Sequence, residues 1–448
     1  MTERPEGRQG AARPDSRPRR WLERIKVNQF RSVEPGTELC FSDGLHVVLG
    51  KNASGKSTLL DLIAASLALD FDRPAFKDEP LALEFTMRAG ALRIEATVKR
   101  MLRDTSASAA PGDGGERAHS LYQEGRYTMR APSGFAVTVE LTSDDLPRRT
   151  VEGIVPVQYG LEEPLGWRHQ LPPLAPGLDG LYGTWFQGSL RAYSAMETLL
   201  GKGAFSIGIG DKFIVRMPEG DELLDALQDD DFFEICLGKS LTNLPSLLPD
   251  SILAALSRNG SAMEVPLALE PLLSTFAREI GFTEARMSLG PPRVERRLGQ
   301  EVFVYSSPSF TFYRDGRFVR RGDQLSYGQR RLFALGWYLV CNSDIAILDE
   351  PSNGLHESWV EFLVSQLRDR QVFLTSQNRE MLDMLPFATE TELTRGFILC
   401  ESRPQPGSIE PTLHWRGLRE DESAIMIKAL RSSRVDLVSD LLRALDLW

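Results

Sequence analysis

Apolar positions alternate with polar ones along Arg24–Phe30 (RIKVNQF), the period of a strand with one buried face. Leu45–Leu49 (LHVVL) is nearly all apolar and short, which predicts a strand buried on both faces. A Gly-rich turn follows, and Ser57–Leu69 then carries helical periodicity in good helix formers. Leu81–Arg88, Ala91–Lys99 and Phe135–Thr142 alternate again, as strands of a mixed sheet would. From about Leu181 to Ile280 the pattern reads as helical, with turns at Leu244–Pro249 and Arg258–Ser261. No heptad pattern persists there, so the segment predicts a helical insertion and not a coiled-coil arm. Phe303–Phe318 predicts a hairpin turning at Asp315-Gly316. A helix from Ser326, a strand at Ile345–Leu348, a helix near Leu355–Leu367 and a strand at Gln371–Thr375 complete an α/β alternation. Val435, Val438, Leu441, Leu442 and Leu445 give a last helix one apolar face.

The boundaries follow: a disordered basic tail over 1–20, an N-terminal lobe over 21–180, a mainly helical insertion over 181–300, a C-terminal lobe over 301–415 and a helical segment over 416–448. Asp104–Ser120, rich in Ala, Ser, Gly and Asp, predicts an exposed mobile loop.

Composition adds exclusions. With 448 residues, 42% of them hydrophobic and 25% charged, the chain suits a multidomain globular protein. No run reaches the ~20 apolar residues of a membrane span, and Met1–Arg20 lacks a hydrophobic signal region, so a cytoplasmic location without membrane contact is expected. The four cysteines form no C-x-x-C pair and the five histidines are scattered, which argues against a zinc site or disulfide framework. A net charge of −10 does not point to nucleic acid, although Met1–Arg20 holds six Arg against three acids. Pro218–Glu234 holds eight acids and no basic residue: a solvated helix face, or a docking site for a basic partner.

Gly50-Lys51-Asn52-Ala53-Ser54-Gly55-Lys56-Ser57 matches G-x-x-x-x-G-K-[ST], a loop that wraps backbone N–H groups round a phosphate. Gly50, Asn52, Ser54 and Gly55 shape it, Lys56 reaches the β/γ oxygens, and Ser57, with Thr58 behind it, opens the helix and offers a hydroxyl to Mg²⁺. Asp344–Glu350 (DIAILDE) ends an apolar strand in two carboxylates: Asp349 suits Mg²⁺ and Glu350 a base for the attacking water. Leu325-Ser326-Tyr327-Gly328-Gln329 opens a helix with N–H groups free for an anion; Ser326 as a plain N-cap is the bland alternative.

In that order, the phosphate loop, LSYGQ and ILDEP resemble ABC-type ATPases, whose signature is LSGGQ, and within them the branch of the SMC proteins, RecF and the OLD-family ATPases. Ile25–Ser32 (IKVNQFRS) is similar to the opening of those heads, and Leu355-His356 matches the branch where transporters carry Leu-Asp. The resemblance spans roughly 21–100 and 300–400. It implies a P-loop ABC-type head: a mixed sheet with flanking helices, binding ATP and Mg²⁺. It also implies a composite site in which Ser326, Gly328 and Gln329 of one subunit cap the nucleotide held by Lys56 of another. Where the family places a switch His, the chain reads Ser376-Gln377-Asn378; Gln377 can hydrogen-bond a phosphate or the water but takes up no proton near neutral pH, so hydrolysis is expected to be slow. Gln158 is the candidate for the family's Q-loop, and Arg31 either approaches the phosphates or ends a strand in solvent.

The expected function is an ATP-dependent sensor or switch in anti-phage defence or DNA repair. It would dimerise head to head, or form a higher oligomer, contact DNA or another nucleic acid, and act through a separate nuclease or toxin. About 70 residues follow Gln377, too few for the nuclease domain of OLD proteins. An ATP-gated clamp with little turnover and a transport ATPase subunit are the alternatives.

Overall fold

A computed structural model describes residues 20–68, 79–89, 92–104, 119–130, 136–142, 148–152, 216–217, 233–236, 263–289, 293–297, 300–305, 309–341, 344–387, 390–405, 410–431 and 437–448, with a few isolated positions. The basic tail, the loop expected at 104–120 apart from its ends, nearly all of the acidic stretch and Gln158 lie outside them.

In chain order the strands are β1 (Arg20–Phe30), β2 (Thr37–Cys40), β3 (Leu45–Leu49), β4 (Leu81–Ala89), β5 (Leu92–Asp104), β6 (His119–Arg130), β7 (Ala136–Thr142), β8 (Arg148–Glu152), β9 (Arg216–Met217), β10 (Phe233–Cys236), β11 (Met263–Pro266), β12 (Glu284–Leu289), β13 (Arg293–Arg297), β14 (Gln300–Tyr305), β15 (Ser309–Arg314), β16 (Arg317–Arg321), β17 (Ile345–Leu348), β18 (Gln371–Thr375), β19 (Phe397–Arg403) and β20 (Thr412–Gly417). The helices are α1 (Lys56–Ala68), α2 (Pro271–Glu279), α3 (Tyr327–Cys341), α4 (Glu357–Gln366), α5 (Arg379–Met384), α6 (Glu390–Gly396), α7 (Glu420–Arg431) and α8 (Val438–Ala444).

One sheet, ordered β20-β19-β3-β18-β17-β9, has a parallel centre, and β3 from the N-terminal segment lies between two C-terminal strands. Strands β3, β17 and β18 bury both faces. Val47, Leu49, Ala346, Leu348, Val372 and Leu374 pack on one side with α2, α3, α4, α5 and α8. The intervening Val48, Ile347 and Phe373 pack on the other with α1 and an antiparallel sheet ordered β2-β1-β4-β5-β6-β7-β8. That two-sided burial explains why the runs are short and continuously apolar. Helix α1, between the two sheets, buries Leu59, Leu60, Leu62, Ile63, Ala64 and Ala65, so apolar residues surround it.

Gln371, fully buried, ties the sheets together. Its amide oxygen accepts from the Leu22 N–H at 2.8 Å, and its amide nitrogen donates to the Leu22 and Ser42 carbonyls at 2.8 and 2.6 Å. The predicted hairpin is β15–β16, with Asp315 (φ 51°) and Gly316 (φ 74°) supplying its left-handed turn.

The mainly helical reading of 181–300 requires correction where residues are described. Helix α2 is present, but β11, β12, β13 and β14 are strands, and β9 and β10 lie in the same span. In Glu284–Leu289, Ala285 and Met287 face the core while Glu284, Arg286 and Ser288 face away, a period of two. Glu, Ala, Arg, Met and Leu are also good helix formers; pairing with β11 and β15 overrides that preference.

Candidate nucleotide site

Strands β3, β17 and β18 are adjacent and parallel, so their C-terminal ends open on one edge. The three segments that leave that edge are Gly50–Ser57, Asp349–Gly354 and Ser376–Asn378. Ligands bind at such strand ends in parallel sheets.

The first segment is shaped by close approach. Gly50 has φ 148°, and a Cβ there would lie 2.2 Å from the Cys400 carbonyl oxygen. Gly55 has φ 87°, and its Cβ would meet Leu413 Cδ1 at 2.7 Å and Trp415 Nε1 at 3.2 Å. Ala53 also holds a positive φ, 63°. Ser54 is buried inside the loop, whereas Asn52 and Ser57 are exposed. Lys56 Nζ donates to the carbonyls of Gly50 (2.8 Å) and Lys51 (3.2 Å), which holds its charge over the loop. Lys56, Ser57 and Thr58 form the first turn of α1, where N–H groups have no partner within the helix.

Ser57 Oγ donates to Asp349 Oδ2 at 3.1 Å, joining residues 292 positions apart. Asp349 is buried, and its other oxygen accepts from the Thr375 hydroxyl at 2.5 Å. The same hydroxyl accepts from the Glu350 N–H at 2.9 Å, so Thr375 holds both acidic residues in place. Sequence reasoning missed Thr375; the signal was a hydroxyl closing the buried run QVFLT beside a strand ending in carboxylates. Glu350 adopts φ 47°, uncommon for a residue with a side chain. Its carboxylate Oε2 accepts from the Gln377 N–H at 2.9 Å, and the Gln377 side chain donates to Asn52 Oδ1 at 3.3 Å. Asn52, Glu350 and Gln377 thus meet, as do Ser57 and Asp349.

The residues fit a metal nucleotide. A hydroxyl beside a carboxylate is the oxygen donor pair suited to Mg²⁺, and Lys56 with the α1 N-terminus suits phosphate.

Ser326, Gly328 and Gln329 stand at the start of α3, where Gly328 approaches Gly354 at the end of the second segment. Ser326 Oγ accepts from the Gln329 N–H (3.3 Å), and Gln329 Oε1 accepts from the Ser326 N–H (3.1 Å), a reciprocal capping box. The Gln329 amide also donates to the Ile280 carbonyl at 2.9 Å, so its side chain anchors α3 to the end of α2. A Cβ on Gly328 would lie 2.9 Å from the Gly354 carbonyl and 3.0 Å from the Trp359 ring. Ser326 and Tyr327 are exposed. His356 is the N-cap of α4, accepting from the Ser358 N–H. Arg31 (φ 46°) pairs with Glu79 at 2.8 Å and stacks on Phe30.

A phosphate loop after a central parallel strand and a strand ending in two carboxylates beside it form the geometry of a P-loop nucleotide site. Two family models match by sequence: one described as "AAA domain" over residues 24–92, the other as "AAA domain, putative AbiEii toxin, Type IV TA system" over residues 201–383. Among solved structures, the chain is similar to an SMC head bound to the C-winged helix domain of ScpA, at 13% identity and TM-score 0.38, covering 90% of this chain and 99% of that one. It is also similar to the SMC head domain from Thermotoga maritima (13%, TM-score 0.34, 89% and 99% covered). A third is the recombination mediator protein RecF (14%, TM-score 0.31, 81% and 94% covered). No protein of curated function matches the chain.

Proposed function

We propose that the chain binds ATP with Mg²⁺ at Gly50–Thr58 and hydrolyses it slowly. Nucleotide binding joins two heads face to face, and the dimer, or a higher oligomer, acts as a switch for a separate effector. The observation that carries this reading is the meeting of Ser57 with Asp349, and of Glu350 with Gln377 and Asn52, at the ends of three adjacent parallel strands. Lys56 and the α1 N-terminus bind phosphate, and Ser57 and Asp349 would hold Mg²⁺, which would supply positive charge against the phosphates. Glu350 accepts the proton of the attacking water. Gln377 orients that water by hydrogen bonding and carries no proton. Ser326, exposed at a helix start, and Gly328 beside it cap the nucleotide of the second subunit through backbone N–H groups.

A role in anti-phage defence is favoured by the toxin–antitoxin description of the family model over residues 201–383, with a nuclease or toxin as effector. DNA repair, with DNA or another nucleic acid as trigger, is the variant closest to the RecF likeness. The chain's site of action is the cytoplasm; among the described residues no helix is long and apolar enough to cross a membrane. Gln377 also favours a second reading, an ATP-gated clamp with little turnover.

Phosphate release by purified protein separates the two readings. The switch predicts slow, measurable release that falls about 10²–10³-fold in Glu350→Gln while ATP affinity is kept. Release at the wild-type rate from Glu350→Gln would remove Glu350 from the base role.

A further inference from the structure

The loop that begins at Glu350 is fastened to the first turns of α3 at three points. Arg331, 1% exposed, donates Nη2 to the Glu350 carbonyl at 2.7 Å. The Tyr327 ring covers Gly354 (φ 74°) so closely that a Cβ there would lie 2.3 Å from Cε1. Gly328 meets the Gly354 carbonyl from the same side. The Glu350 carbonyl also accepts from the Asn353 N–H at 3.2 Å, so a main-chain turn and a buried guanidinium converge on one oxygen. The residue so held has a left-handed backbone, which reverts to commoner conformations unless its surroundings fix it.

We infer that Arg331 is a positioning residue coupling the Ser326–Gly328 element of a chain to the Glu350 of that same chain. The inference rests on the composite-site reading above. Ser326 touches the partner's nucleotide while Glu350 serves the chain's own, so Arg331 links occupancy of the opposite site to the geometry of the local base. The two sites of a dimer then fire in a linked manner, and Arg331 sets turnover without contributing to nucleotide affinity.

The test uses the full chain with Arg331→Lys, which keeps the charge but loses the fork and reach of the guanidinium, and Arg331→Met, which removes both. Expected are ATP affinity of the monomer within twofold of wild type, an ATP-driven dimer, and kcat at least tenfold lower with KM unchanged. Mixed dimers separate positioning from general weakening. With Lys56→Ala in the partner, the one working site belongs to the Arg331→Lys chain, and turnover should be slow. With both Lys56→Ala and Arg331→Lys in the partner of a wild-type chain, the working site keeps its own Arg331, and turnover per site should match the Lys56→Ala/wild-type dimer. Equal rates in the two mixed dimers, or wild-type kcat in both variants, would overturn the inference alone. A wild-type chain that forms no ATP-dependent dimer overturns the composite-site reading, and the inference with it.

Discussion

Lys56 is held by two carbonyls of its own loop, whereas the loop's other cation, Lys51, faces Asp446 at 3.7 Å. Lys56→Ala should therefore weaken ATP binding by at least 10²-fold, since a charge-assisted contact to phosphate is lost. Equilibrium binding of a fluorescent ATP analogue checks this, and unaltered affinity would sink the phosphate-loop assignment. Residues of this kind are the legible ones. The glycines at 50 and 55 announce themselves because backbone and neighbouring side chains leave no room for a Cβ. Thr375 and Arg331 were not legible: a lone hydroxyl and one arginine of an Arg-Arg pair acquire meaning only when distant segments meet.

Among the elements, strands buried on both faces were read with their bounds, because Leu45–Leu49, Ile345–Leu348 and Gln371–Thr375 admit no polar alternation. Strands β19 and β20 escaped notice, whereas α7 behind them falls in the helical segment expected over 416–448. They are joined through Glu422, a buried carboxylate. Burial works against its charge, but hydrogen bonds from the Arg416 and Arg419 side chains and the Arg419 N–H hold its pKa down at about 2. A depressed carboxylate pKa adds stability that is full above the unfolded value and is lost as pH falls through the folded one. Glu422→Gln should thus cost on the order of 2–3 kcal/mol near neutral pH. The gap to wild type should close between roughly pH 4.5 and 2, as wild-type Glu422 takes up its proton. Urea denaturation midpoints at several pH values measure it; a gap that is constant with pH would remove the charge from the explanation.

At the scale of the whole molecule, β3 from the N-terminal part of the chain completes one sheet with β18 and β19 from the C-terminal part. The phosphate loop touches Cys400, Leu413 and Trp415, whereas Ser326–Gln329 touches Ile280, Gly354 and Trp359. Among the described residues these named contacts do not overlap, as expected if the two segments meet the same nucleotide from different subunits. A carboxylate at position 328 would be a blunt probe, because any Cβ there collides with Gly354. Ser326→Asp is the sharper one: Asp is as good an N-cap as Ser, so α3 keeps its start. The added charge would face the partner's γ-phosphate in a site poor in water. Light scattering on size-exclusion fractions, with ATP and Mg²⁺, should find Glu350→Gln at twice the 50.1 kDa of one chain. Glu350→Gln/Ser326→Asp should stay at the mass of one chain yet bind ATP with unchanged affinity. A double variant that dimerises as well as Glu350→Gln, or a monomer that no longer binds ATP, would contradict the two-subunit site.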